Sequence, residues 1–225
     1  MSKNSLLLVE GQTDKAFFEA LCKSIGIETE IKIGLAREYG QSKNTKQAVI
    51  NSLKTLIHQM QDGTLKHLAI VVDADRISDG GGFRKTIDQI SDQISTEGYS
   101  SHPICLNSGG LLYKHNDGLP NFGVWVMPDN AAEGMLEDWI KLSISPSEKP
   151  LLEQATATVG SIANKKFPIS RLSKAEVTTW LAWQKKPGEG LYYTAEDNLL
   201  DRTAQPYTGL VEWLKTALLP QLPSN

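Results

Sequence analysis

Leu68-Ala69-Ile70-Val71-Val72-Asp73-Ala74-Asp75 is the stretch that decides the fold. It starts as an unbroken apolar run of strand length, and unbroken rather than alternating apolarity is what a parallel strand covered on both faces requires. The run ends in Asp73-Ala74-Asp75. In an extended chain residues two apart point to the same side, roughly 6.5 to 7 Å from each other. The two carboxylates are therefore expected to face one ion or two neighbouring ones, although Asp is also a common turn former.

The same arrangement recurs on either side. Upstream lies Leu6-Leu7-Leu8-Val9-Glu10-Gly11; downstream lies Val124-Trp125-Val126-Met127-Pro128-Asp129-Asn130, followed by Glu133 and Glu137. Carboxylates repel one another, so a fold that gathers several at the mouth of a sheet holds a cation there. Glu10 alone reads first as a solvated strand end. Next to an adjacent strand bearing Asp73 and Asp75, it reads as a ligand.

Between these strands the apolar spacing turns helical. Thr13 can cap a helix carrying Phe17, Leu21 and Ile25 at four-residue spacing, and a short strand is expected over Glu30 to Ile33. Val49, Leu53, Leu56, Ile57 and Met60 mark a second helix ending near Gly63, and Phe83, Ile87, Ile90 and Ile94 a third. Strands near Pro103 to Leu106 and Phe122 to Met127 come next, and Met135, Leu136, Trp139 and Ile140 give one apolar helix face. Strand and helix thus alternate, the pattern of an α/β fold: an open, mainly parallel sheet with helices on both faces. Ligands in such sheets sit beyond the carboxyl ends of the strands, where all three acidic segments fall. Ser145-Pro146-Ser147-Glu148-Lys149-Pro150 reads as a boundary. The expected division is an α/β domain over 1–145 and a mostly helical C-terminal extension over 146–225, packed on the first.

Composition narrows the class. The 225 residues are 40% hydrophobic and 22% charged, ordinary globular values that suffice for one good core. No stretch reaches the apolar length of a membrane span, and Met1-Ser2-Lys3-Asn4 leads directly into a strand, so a soluble cytoplasmic protein is expected. Cys22 and Cys105 are too few for a disulfide framework and lack the spacing of a zinc site. The net charge of −3 hides an asymmetry. Lys165, Lys166, Arg171, Lys174, Lys185 and Lys186 stand against Glu176 alone, which puts that segment at +5 and the rest of the chain at −8. An acidic body with a basic later segment suits a metal centre handling a polyanion, and suits a solvated helix face equally well.

Several residues carry two readings. Asn130-Ala131-Ala132-Glu133 has capping-box spacing, with Asn130 as N-cap, and capping is favoured for both. Glu133 and Glu137 share a helical face, a destabilising pairing unless a cation intervenes, which makes Glu137 and Asp138 better metal candidates than Glu133. Asp129 fits either a ligand or a turn. Ser173-Lys174-Ala175-Glu176 reads as a capping box, placing Lys174 in a first helical turn, where the helix dipole disfavours a cation by roughly 0.3 to 1 kcal/mol. Neutralising a phosphate would explain that misfit, but an exposed lysine bearing a small penalty is the favoured reading. Trp180 and Trp183 suit base stacking, but beside Leu181 they read as core. Gly80-Gly81-Gly82 lacks the following Gly-Lys-Ser/Thr of a P-loop and reads as a turn.

Taken together, Val9-Glu10-Gly11-Gln12-Thr13-Asp14 opening a helix and Val72-Asp73-Ala74-Asp75 closing a strand closely resemble the Toprim domain shared by topoisomerases, primases and overcoming-lysogenisation-defect nucleases. Met127-Pro128-Asp129-Asn130, Gly134-Met135-Leu136-Glu137-Asp138 and Thr179-Trp180-Leu181-Ala182-Trp183-Gln184 resemble a smaller, uncharacterised prokaryotic Toprim-like family. The resemblance implies Glu10 as general acid/base or metal ligand and Asp73 and Asp75 as Mg²⁺ ligands. For the second acidic cluster and the lysine of the nuclease branch it offers Glu137, Asp138 and Lys174. The expected function is cleavage of DNA or RNA phosphodiesters with Mg²⁺, or Mn²⁺ in its place. The competing expectation is a Toprim-like nucleic-acid or nucleotide binding or regulatory module that cleaves nothing. A nucleotide-sugar glycosyltransferase would use Asp73-Ala74-Asp75 but leave Glu10 without a role.

Overall fold

The apolar run at the centre of the sequence becomes a strand at the centre of the sheet. The computed structural model describes residues 4–34 and 46–220. Within them the order is β1 (Ser5–Val9), α1 (Gln12–Ser24), β2 (Glu30–Ile33), α2 (Lys46–Gln61), β3 (His67–Asp73), α3 (Phe83–Ile94), β4 (Ile104–Cys105), β5 (Leu111–Tyr113) and β6 (Phe122–Met127). Five helices follow: α4 (Leu136–Ser143), α5 (Lys149–Ser161), α6 (Leu172–Ala182), α7 (Tyr192–Glu196) and α8 (Gln205–Leu218). The six strands lie in the order β2-β1-β3-β6-β5-β4. The first four are mutually parallel, and β5 and β4 complete the sheet antiparallel. The α/β class with a mostly parallel sheet is as the periodicity requires.

Alternate residues of the central strands build two separate cores. Leu7, Val9, Ala69, Val71, Trp125 and Met127 pack with α1 and with α4 to α8 on one face. Leu6, Leu8, Leu68, Ile70, Val72, Val124 and Val126 pack with α2 and α3 on the other. Helices on both faces explain why β1, β3 and β6 are apolar at almost every position. On the first face Trp139, Trp180 and Trp213 are wholly buried. Burying a large apolar side chain contributes about 1.5 to 3 kcal/mol, so these residues anchor the helical half of the chain.

The residues beyond Pro146 therefore cover the sheet. Helix α8 packs on β1, β3 and β6, and Trp213 donates its indole N–H to the Leu111 carbonyl at 3.1 Å. Two glycines let it approach: a Cβ on Gly123 would lie 2.6 Å from Ala217 Cβ, and one on Gly110 would lie 2.1 Å from Trp213 Cδ1. Trp180 belongs to the core, whereas Trp183 is 40% exposed. Among the described residues no helix is long and apolar enough to cross a membrane.

Candidate functional site

The chain leaves β1, crosses one face through α1 to β2, and returns across the other face through α2 to β3. Successive crossovers on opposite faces put the topological switch point between β1 and β3, where open α/β sheets bind ligands at the carboxyl ends of the strands. Strands β1 and β3 pair in parallel, Leu8 opposite Ile70, which brings Glu10 beside Asp73. Glu10 Oε1 accepts the Asp73 backbone N–H at 2.8 Å.

Asp73 is the last residue of β3, and its Oδ1 accepts the Leu136 N–H at 3.1 Å, at the N-terminus of α4. Beyond it the strand stops. Asp75 takes a left-handed conformation, φ 60°, held by its N–H to the Gly134 carbonyl at 2.9 Å. The strand alternation expected to aim Asp73 and Asp75 alike therefore does not extend to Asp75. Its carboxylate instead meets Lys46 Nζ at 2.6 Å. The same ammonium donates to the carbonyls of Asp73 (2.9 Å) and Ala74 (3.1 Å) and to Thr86 Oγ1 (3.3 Å). Lys46 opens α2, 27 residues before Asp73, and nothing in its sequence context signals a site.

Glu137 and Lys174 complete the group across the sheet's mouth. Glu137 sits in the first turn of α4, buried, and pairs with Lys174 Nζ of α6 at 3.3 Å. That partner answers the apparent misfit of a lysine near a helix start. Asp14, in the first turn of α1, joins the same cluster. It stands within the Glu10 motif, four residues on, and only that proximity hints at it.

Burial, followed by the neighbouring charges, raises three of these carboxylates. Burial pushes Glu10 up to about 8, with Asp75 and Asp14 adding to the rise and the Asp73 amide and Lys46 opposing it. Asp73 is held well above the ordinary carboxylate range, first by burial and then by Glu10, Asp14, Glu137 and Asp75. Burial and Glu137 also raise Asp14, against the pull of Lys174. The group lines a cleft of about 590 Å³. Arg76, Lys85 and Arg171 join Lys46 and Lys174 on its walls, so an acidic floor meets a cationic rim.

Other expected site residues lie elsewhere or do other work. Asp129 is exposed, and its Oδ1 accepts the N–H groups of Ala131 (3.1 Å) and Ala132 (2.7 Å), which makes it a turn former outside the cleft. Asp138 Oδ2 accepts the Met135 N–H at 3.0 Å, and its Oδ1 accepts the Ser173 hydroxyl. Both oxygens thus tie α4 to its own start and to α6. The capping box expected at Asn130 and Glu133 does not form, because α4 begins only at Leu136. Asn130 is left-handed, φ 59°, and its amide bridges the Val126 N–H (2.7 Å) and the Gly109 carbonyl (3.0 Å). Glu133 accepts the Ile77 N–H at 2.7 Å. Ser173 lies inside α6, which starts at Leu172, and Glu176 pairs with Lys141 at 2.6 Å.

Among the described residues no three His, Cys, Asp or Glu side chains are gathered into a ready ligand set for an ion. Glu10 faces the Asp73 amide and Asp75 faces Lys46. The chemistry of the donors nevertheless fits a hard divalent cation. All are carboxylate oxygens on neighbouring strand and helix ends, and Glu10, Asp14 and Asp73 have their proton affinity raised first by burial and then by one another's charge.

Comparison with curated proteins and with solved structures found no match for the chain. A family model described as protein of unknown function (DUF3226) matches residues 4–219, and the chain belongs to that family.

Proposed function

We propose that this protein is a Mg²⁺-dependent nuclease of Toprim type that cleaves phosphodiester bonds of DNA or RNA. The observation that carries this reading is the meeting, in one cleft at the β1/β3 switch point, of Glu10, Asp14, Asp73, Asp75 and Glu137 with five cationic side chains. A cleft built only for a cation has no use for that rim, and one built only for an anion has no use for that floor. A phosphodiester accompanied by a divalent ion uses both.

Glu10, Asp73 and Asp75 would hold the ion, with Glu137 beside them. When bound, the ion supplies charge stabilisation on the scissile phosphate and a more acidic water. Lys174 and Arg171 orient the phosphate by its oxygens. Glu10, which burial keeps protonated near neutrality in the metal-free site, would release that proton to the solvent on taking the ion, so ion binding should tighten as pH rises. Lys46 fixes Asp75 and the end of β3, keeping both strand termini in register.

The test is cleavage of labelled DNA and RNA by purified protein with Mg²⁺, Mn²⁺ or EDTA. Glu10→Gln and Asp73→Asn should each lose roughly a hundredfold or more. Unchanged cleavage in either variant, or full activity in EDTA, refutes the assignment. A second reading draws on Lys46, whose ammonium already neutralises Asp75 as a resident cation would. In that reading the protein binds nucleic acid or nucleotide without cleaving it, and binding without cleavage under every metal decides for it.

A further inference from the structure

A second cavity of about 650 Å³ opens on the far side of the ridge that walls the carboxylate cleft. The ridge is the short 3₁₀ turn Ile169–Arg171 and the first turn of α6. Arg171 and Lys174 line both cavities, so a group held between these two cations lies at the mouth of each. The floor of the second cavity is one face of α6, where Ala175, Thr178, Thr179 and Ala182 recur at helical spacing. Phe167 and Pro168 form the facing wall, and the Phe167 ring is only half-buried. Lys166 stands at its edge, and among the described residues neither Lys166 nor Arg171 has a carboxylate partner.

We infer that this groove is a nucleobase subsite, and that the substrate is a nucleic acid strand whose base next to the scissile phosphate is unpaired. The inference rests on the nuclease reading for the neighbouring cleft and adds the class of strand it takes. Cations at the shared mouth suit a phosphate; an apolar slot with an aromatic wall and small floor residues suits the flat face of a base. A base within a duplex is stacked on both sides and cannot enter a lateral slot without being extruded. An unpaired strand enters freely, its phosphate at Arg171 and Lys174 and its base against Phe167. Stacking accepts any base, so sequence preference should be weak.

The test is fluorescence anisotropy of the full chain with labelled oligothymidylate, oligouridylate, a duplex of equal length, and an abasic strand of equal length, all in EDTA. The two single strands should bind more tightly than the duplex and the abasic strand. Phe167→Ala should weaken the base-bearing strands roughly five- to hundredfold while leaving the abasic strand unchanged. Thr178→Trp, at an exposed position where folding is not at stake, should fill the slot and do the same. Arg171→Ala should weaken all strands alike and lower the salt slope by about one. Tighter binding of the duplex, or an equal effect of Phe167→Ala on abasic and base-bearing strands, overturns the inference. Strand preference without Mg²⁺-dependent cleavage refutes the nuclease reading alone; cleavage without strand preference refutes the subsite alone. The DNA and RNA arms report which sugar the strand carries.

Discussion

Glu10→Gln should make the metal-free protein more stable above neutral pH, and the size of the gain follows from the site. Burial raises the Glu10 carboxyl from 4.5 to about 8. The folded state therefore keeps a proton that the unfolded chain has already released, so unfolding becomes easier as pH rises from the lower value toward the higher. The stabilising contribution is complete below 4.5 and lost progressively on the way to about 8. At about 1.36 kcal/mol per unit, Glu10 by itself should cost the wild type ~3.5 kcal/mol between pH 5 and pH 8, a contribution the glutamine variant lacks. For a chain of this length that is about 7 to 14 °C in Tm.

The assay is thermal unfolding from pH 5 to pH 8.5 in EDTA, for wild type and Glu10→Gln. Glutamine keeps an oxygen for the Asp73 amide and removes the charge that raises Asp73, so its curve should be flatter and cross above the wild type near neutrality. Mg²⁺ should then reverse the order. At a hundredfold excess over Kd it stabilises the wild type by about 2.7 kcal/mol, and the variant, lacking one ligand, by less. A wild-type curve flat from pH 5 to pH 8, or a variant that falls as steeply, would show that burial at the strand end does not hold a proton on Glu10.

Further outcomes follow from single residues and from the packing of the helical half. Asp129→Ala should leave Mg²⁺ affinity by calorimetry within about twofold and cost about 1 kcal/mol in unfolding, because Asp129 accepts turn amides outside the cleft, whereas Glu137→Gln should weaken Mg²⁺ binding. Trp213→Ala should cost about 3 to 5 kcal/mol in denaturant unfolding, and residues 1–145 alone should lack a cooperative transition, because α8 covers β1, β3 and β6.

The sheet was legible because burial on both faces leaves a plain signature: β1, β3 and β6 are apolar at nearly every position, and their ends carry Glu10, Asp73 and Asp129. Pairing of β1 with β3 then brings Glu10 to the end of β3, where it accepts the Asp73 N–H. Geometry beyond the strand ends was not legible. Asp75 and Asn130 both turn left-handed, so neither a strand's alternation nor a helix's capping spacing survives past Asp73 and Met127. Strand β5, three residues long and directly after Gly109-Gly110, is too short for periodicity, yet its Leu111 carbonyl accepts the Trp213 indole N–H. Lys46 is silent in sequence because two of its four partners are backbone carbonyls, which leave no mark on residue type, and the side-chain partners Asp75 and Thr86 lie far along the chain.

The two halves of the chain depend on each other energetically. Buried carboxylates that raise one another's proton affinity cost stability, and a marginal protein tolerates that only where packing elsewhere holds the groups in place. Here the holding is done largely by the helices beyond the sheet. Glu137 is fixed by Lys174 of α6, and α4 itself is tied to α6 through Asp138 and Ser173 and through Lys141 and Glu176. Trp139 and Trp180 in turn bury those two helices against the sheet. Loosening α6 should therefore disturb the carboxylate group before it disturbs the fold. Ser173→Ala, which removes one tie and leaves both tryptophans packed, provides the means to separate the two effects: a loss of ion affinity at nearly constant Tm places the helical half within the site's construction, and an equal loss of both assigns it to stability alone.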